Sequence, residues 1–151
     1  MKSKNTLNGW LILDKPLGMS SAQAVGKVKW LLKPVKIGHA GTLDPLASGI
    51  LPLALGEATK TVTYMMDASK AYSFTVQWGA ETETDDREGN ITKNSALRPS
   101  LAEIEAILSA FLGEIEQVPP IYSAIKVGGE RAYALARGGE DVALKARTIT
   151  V

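Results

Sequence analysis

The side chains best placed to do chemistry lie between residues 38 and 60. The stretch reads Gly38-His39-Ala40-Gly41-Thr42-Leu43-Asp44-Pro45-Leu46-Ala47-Ser48-Gly49, then Ile50-Leu51-Pro52-Leu53-Ala54-Leu55, then Gly56-Glu57-Ala58-Thr59-Lys60. The Gly, Pro, Thr and Ser content of 38–49 predicts a shaped loop. Pro45 biases Asp44 away from helical backbone angles, so the carboxylate is presented on stiff chain. A carboxylate in that setting has two uses. It can bond its own backbone two residues on and close a turn, or it can face a substrate. A glycosidase-like pair of acids fits poorly, because Asp44 has no second acid nearby in sequence.

Composition removes other chemistries. The chain has no cysteine and one histidine, which excludes disulfides and thiolate catalysis and argues against a zinc site. There is no Walker A loop and no dinucleotide fingerprint. The acidic run Glu81, Glu83, Asp85, Asp86 and Glu88 lacks EF-hand spacing and reads as a solvated hairpin connection. Neither a metal nor a cofactor is expected. At 151 residues the chain is one domain's worth and long enough to bury a core. No apolar run reaches the roughly 18 residues of a membrane span, and Met1-Lys2-Ser3-Lys4-Asn5-Thr6 has no apolar segment behind it. A cytoplasmic protein without membrane contact is expected.

The net charge of +1 says little, but its distribution says more. Residues 1–36 hold seven lysines against Asp14 alone, residues 37–119 hold five basic and twelve acidic side chains, and residues 120–151 hold five basic and three acidic. Basic ends around an acidic middle suit a protein that meets a polyanion with selected surfaces. Scattered lysines that keep a protein soluble fit the same distribution.

The elements around the loop follow from pattern. Gly9-Trp10-Leu11-Ile12-Leu13-Asp14-Lys15-Pro16 is an apolar run ended by proline, hence a strand. Ser20 and Gln23 form a capping-box pattern, and Ala24, Val25, Val28, Leu31 and Leu32 continue it at helical spacing up to Pro34. Lys27, Lys29 and Lys33 fall mostly elsewhere around that helix and read as a solvated face. Residues 50–55 predict a buried strand carrying one proline, and 57–66 a short helix. From Lys70 to Gly79 the chain alternates, so a strand is predicted with Tyr72, Phe74, Val76 and Trp78 on its inward face. Ser100 and Glu103 open a second capped helix with its stripe at Leu101, Ile104, Leu108, Phe111 and Leu112. Between 118 and 147 the pattern is a hairpin around Gly128-Gly129 and a helix near 130–137, with Lys126, Arg131, Arg137, Lys145 and Arg147 interleaved with Tyr122 and Tyr133. Basic and aromatic groups together can pair phosphates and stack on unpaired bases. Residues 146–151 read as a strand that simply stops, which suggests a cut chain or pairing with another copy. The fold class expected is mixed α/β (α+β): a largely antiparallel sheet with packed helices.

Residues 38–49 followed by Leu55-Gly56-Glu57-Ala58-Thr59-Lys60 resemble the active-site signature of the TruB family of tRNA pseudouridine synthases. Asn8-Gly9-Trp10 to Asp14-Lys15-Pro16-Leu17-Gly18-Met19-Ser20-Ser21 resembles that family's opening segment, Lys70-Ala71-Tyr72 its second motif, and Ile121-Tyr122-Ser123-Ala124-Ile125-Lys126 its third. The matches keep their order over nearly the whole chain.

The resemblance implies the N-terminal part of a pseudouridine synthase catalytic domain, with residues 118–147 as a thumb-like insertion that grips RNA. The family's members are about twice as long. Their later half, with a Tyr-Ile-Arg motif whose Arg pairs with the catalytic Asp and a C-terminal RNA-binding domain, is not among these residues. The implied reaction is conversion of uridine-55 in the TΨC arm of tRNA to pseudouridine. Asp44 would be the catalytic carboxylate, Tyr72 would lie against the flipped uracil, and His39 would pack at the pocket mouth. Lys15, Lys60, Lys126 and Arg131 would contact phosphate, positioning RNA without reading its sequence. Little or no activity is expected of the 151 residues alone. A non-catalytic module that binds or folds tRNA is the alternative.

Overall fold

Strand alternation places Leu11 and Leu13 on one face of the first strand, β1 (Gly9–Lys15), and Trp10, Ile12 and Asp14 on the other. This computed structural model describes residues 5–123 and 125–151; Met1 to Lys4 and Ala124, which the sequence reading includes, lie outside the described residues. The chain divides into two units, the first ending at Ser73 and the second starting at Phe74.

In the first unit β1 leads into helix α1 (Ser21–Leu32). The predicted capping box is formed: the Ser20 hydroxyl accepts from the Gln23 amide at 3.2 Å, and the Gln23 side chain accepts from the Ser20 amide at 2.9 Å. The helix ends at Lys33, in a left-handed conformation just before Pro34. Strands β2 (Ile37–His39) and β3 (Gly49–Leu55) complete a three-stranded antiparallel sheet in the order β1-β3-β2. β3 pairs along all of β1, from Gly9 opposite Leu55 to Lys15 opposite Gly49. Proline is rarely tolerated in a central strand, because it cannot donate to the ladder. Pro52 escapes that conflict: its carbonyl accepts from the Ala40 amide at 2.9 Å, so its missing N–H faces the edge beyond the last residue of β2. Ala24 and Val28 of α1 pack on Leu51 and Leu53 of β3, with Leu11, Leu13, Met19, Ile37 and Leu43 around them. Leu51 and Leu53, fully buried, each contribute about 1.5–3 kcal/mol.

After β3 the chain turns through Gly56, whose backbone is left-handed; a Cβ there would collide with the Leu7 carbonyl and the Asn8 side chain. A 3-10 segment (Gly56–Thr61) and α2 (Val62–Met66) follow, dividing the predicted single helix in two.

The second unit holds a hairpin of β4 (Ala80–Thr82) and β5 (Ile91–Asn94), helix α3 (Leu101–Leu108) behind its predicted Ser100–Glu103 box, and β6 (Glu114–Gln117). A two-residue Gly128-Gly129 turn joins β7 (Lys126–Val127) to β8 (Glu130–Arg131), and α4 (Ala132–Arg137) follows. The last strand, β9 (Arg147–Thr150), pairs antiparallel with β6, which takes up one edge of the strand offered above to another copy. No helix among the described residues is long and apolar enough to cross a membrane.

The predicted strand over 70–79 does not form; residues 71–77 have no regular structure. Tyr72, predicted to face inward, is 67% exposed, and Phe74 is 83% exposed. Alternation supplies two faces, but a strand also needs a neighbour for its backbone N–H and C=O groups. No strand among the described residues pairs with this segment.

Candidate active site

Residues 40–48 are the connection from β2 to β3, and the stretch from the last residue of β1 to the first of α1 holds them at alternate positions. The Ser21 hydroxyl accepts from the Leu43 amide and donates to the Leu43 carbonyl, both at 2.9 Å. The Gly18 amide donates to the Pro45 carbonyl at 2.7 Å. The Lys15 ammonium donates to the Ala47 carbonyl at 2.5 Å. Residues 43, 45 and 47 are thereby tied down, and Leu43 also packs into the core. Asp44 stands between the first two ties.

The Asp44 side chain is exposed, and its carboxylate has no hydrogen-bond or ion-pair partner among the described residues. The turn at 44–47 is closed by the backbone, from the Ala47 amide to the Asp44 carbonyl at 3.0 Å. The carboxylate is therefore not spent on turn chemistry. It is an acceptor group on a fixed backbone, open to whatever approaches the loop.

His39, the last residue of β2, is half-buried and pairs through Nδ1 with the Gly41 carbonyl. A carbonyl only accepts, so Nδ1 donates, and Nε2 is left for another partner. His39 thus stands at the entrance of the connection that carries Asp44.

Lys15 corrects the sequence reading. It is 0% exposed, and besides Ala47 its ammonium donates to the Met19 carbonyl at 2.6 Å and the Pro16 carbonyl at 3.1 Å. All three donors of a lysine are used on backbone acceptors, so the side chain is turned away from any phosphate. The physical cause is strand period: Lys15 falls on the same face as Leu11 and Leu13. It fixes the loop that carries Asp44.

Lys60 lies beyond the opposite end of β3 from the loop and pairs with Glu57 on the surface. That hydrogen bond and charge hold the Glu57 carboxyl below the usual carboxylate range. An exposed pair of this kind is worth little and exchanges readily with another anion. Lys126 and Arg131 belong to the second unit, where they stand directly opposite each other in the β7–β8 hairpin.

Ser21 and Gly18 were not singled out by sequence. Ser21 is 3% exposed, and its role joins residues 22 apart, beyond the reach of local patterns. Ser21→Ala removes both bonds to Leu43. It is expected to cost about 1–2 kcal/mol and to raise amide exchange at Leu43 while the α1 interior stays protected. Unchanged exchange at Leu43 would show that the loop is held by its apolar packing alone.

A family profile described as TruB family pseudouridylate synthase (N terminal domain) matches residues 29–151. The chain is 59% identical over 150 residues to tRNA pseudouridine synthase B of Mesorhizobium japonicum, covering 99% of this chain and 46% of that protein. It is 61% identical over 145 residues to the protein of the same name from Sinorhizobium medicae, covering 96% and 47%. The chain spans about half the length of the curated relatives it matches. Among solved structures, a Cbf5-Nop10-Gar1 complex aligns with a TM-score of 0.57 and 28% identity over 95% of this chain and 33% of that chain. An H/ACA RNP bound to a substrate RNA containing 2'-deoxyuridine aligns at 0.50 and 28%, over 81% and 35%.

Proposed function

The chain belongs to the TruB family of pseudouridylate synthases, and from that premise we propose that the protein carrying it converts a uridine of tRNA, uridine-55 in the TΨC arm, to pseudouridine. One observation carries the assignment of chemistry to Asp44: within the matched residues, this exposed carboxylate has no partner among the described residues, and its backbone is tied on both sides. The relatives named tRNA pseudouridine synthase B support tRNA as the substrate class.

The reaction breaks the N1–C1′ bond, turns the uracil and joins C5 to C1′; the C5 proton is lost and N1 ends protonated. Atoms and electrons balance within the nucleotide. Attack on the ribose, attack on the base and removal of a sugar proton all need an ionised carboxylate close to C1′. A loop of backbone hydrogen bonds provides that position in advance, before substrate arrives. The target base is reached by flipping it out of its stack, at a cost of a few kcal/mol. In this reading Tyr72 lies against the uracil, the Nε2 side of His39 meets RNA at the pocket mouth, and Lys60, Lys126 and Arg131 contact phosphate. Lys15 does not. The protein works in the cytoplasm on soluble tRNA.

The test is tritium release from tRNA labelled at C5 of uridine, with the pseudouridine then mapped, using the intact natural protein that carries these residues. Release equal to pseudouridine formed at position 55 is expected, with little turnover from the 151 residues alone. Salt-dependent tRNA binding with no pseudouridine formed would favour a non-catalytic tRNA-binding or folding module instead.

A further inference from the structure

One face of helix α1 packs on the sheet, and the other is left uncovered among the described residues. Ser21, Ala24 and Val28 are buried on the sheet side. At 3.6 residues per turn, Trp30 falls on the opposite side, where it is 77% exposed. Lys27 lies one turn before it and Lys33 one turn after, both exposed, so the indole is bracketed by two ammonium groups on the same outward stripe. Lys29 and Lys36 are also exposed. No Asp or Glu occurs between Asp14 and Asp44, and none of these four lysines makes an ion pair among the described residues.

Trp30 and its neighbour Leu31 are both exposed, 77% and 67%, among exposed lysines, and an apolar patch rimmed by charge marks an interaction site. A second copy of this face is a poor cover, because self-pairing would bring lysine against lysine. The charge asks for an anion and the indole for a flat surface to stack on. Nucleic acid supplies both.

We propose that the outer face of α1, Lys27, Trp30 and Lys33, is an RNA-contact surface separate from the Asp44 loop: Trp30 stacks on an unpaired base and the lysines meet the flanking phosphates. The choice of RNA as the polyanion rests on the function proposed above. Trp30 lies nine residues along the helix from Ser21, or about 14 Å of axial rise. A contact there bears on a part of the RNA other than the nucleotide at Asp44.

The test uses the intact protein and a tRNA transcript, with binding measured over a range of salt. Trp30→Ala is expected to weaken binding about tenfold, and Trp30→Phe, which keeps a stacking ring, to restore most of it. Intrinsic fluorescence is expected to fall on adding tRNA in the wild type, and the part of that fall due to Trp30 to vanish in Trp30→Phe. Lys27→Ala with Lys33→Ala is expected to reduce the salt slope by about 1.4–1.8. Wild-type affinity and salt slope in Trp30→Ala and in the double lysine variant would overturn the proposal, and would leave an acidic protein partner as the better cover. Failure of the proposed function reads differently: tRNA binding would still depend on Trp30, but no pseudouridine would form.

Discussion

Asp44→Asn is expected to reduce pseudouridine formation by about 10⁴-fold or more while leaving stability within about 0.5 kcal/mol of wild type. The size follows from removing the group proposed to react, which in enzymes with a single nucleophile takes activity close to background. The stability half follows from geometry. The carboxylate is exposed and without a partner among the described residues, and the turn beneath it is closed by Ala47 N–H and Asp44 C=O. Surface substitutions away from caps and networks are nearly neutral. Binding of tRNA is expected to change little. The two halves together separate the enzymatic use of Asp44 from the turn-forming use: a carboxylate holding the turn would show lost stability and retained turnover.

Lys15→Met is expected to destabilise the fold by about 2–4 kcal/mol, read as a lower urea midpoint with unchanged m-value. Methionine fills much of the same volume but donates nothing, so the carbonyls of Pro16, Met19 and Ala47 lose their partner. The loss also frees the C-terminal side of the Asp44 loop, so turnover of the folded fraction should fall with it. A lysine that met phosphate would behave in the opposite way. Its removal would spare stability and lower the salt slope of tRNA binding by about 0.7–0.9.

The difference between those two readings of Lys15 shows what the sequence does and does not disclose. The period of two that puts Leu11 and Leu13 inside also puts Lys15 inside, whereas its residue type alone points to a surface. The caps at Ser20 and Ser100, the strand containing Pro52 and the hairpin at Gly128-Gly129 were all legible, because each depends on residues within a few positions of one another. The loop at 40–48 was legible as a loop, and Asp44 as its presented acid. The clamp that fixes it was not: Ser21 to Leu43 and Lys15 to Ala47 are pairings between distant positions. The segment at 70–79 failed for a related reason. Its alternation is genuine, but a strand is a property of two segments and the alternation describes only one. Conversely β6, Glu114-Ile115-Glu116-Gln117, forms from residues that are weak strand formers because β9 pairs with it.

A structure of the intact protein with a TΨC stem-loop, its target uridine intact and Asp44 replaced by Asn to halt the reaction, examines the chemistry at its source. The expected result is a target nucleotide out of the stack, with its C1′ within about 3.5 Å of a side-chain oxygen or nitrogen at position 44. A target uridine that remains stacked in the stem-loop, or one extruded to a place where residue 44 faces away from its sugar, would contradict the assignment of the reaction to Asp44.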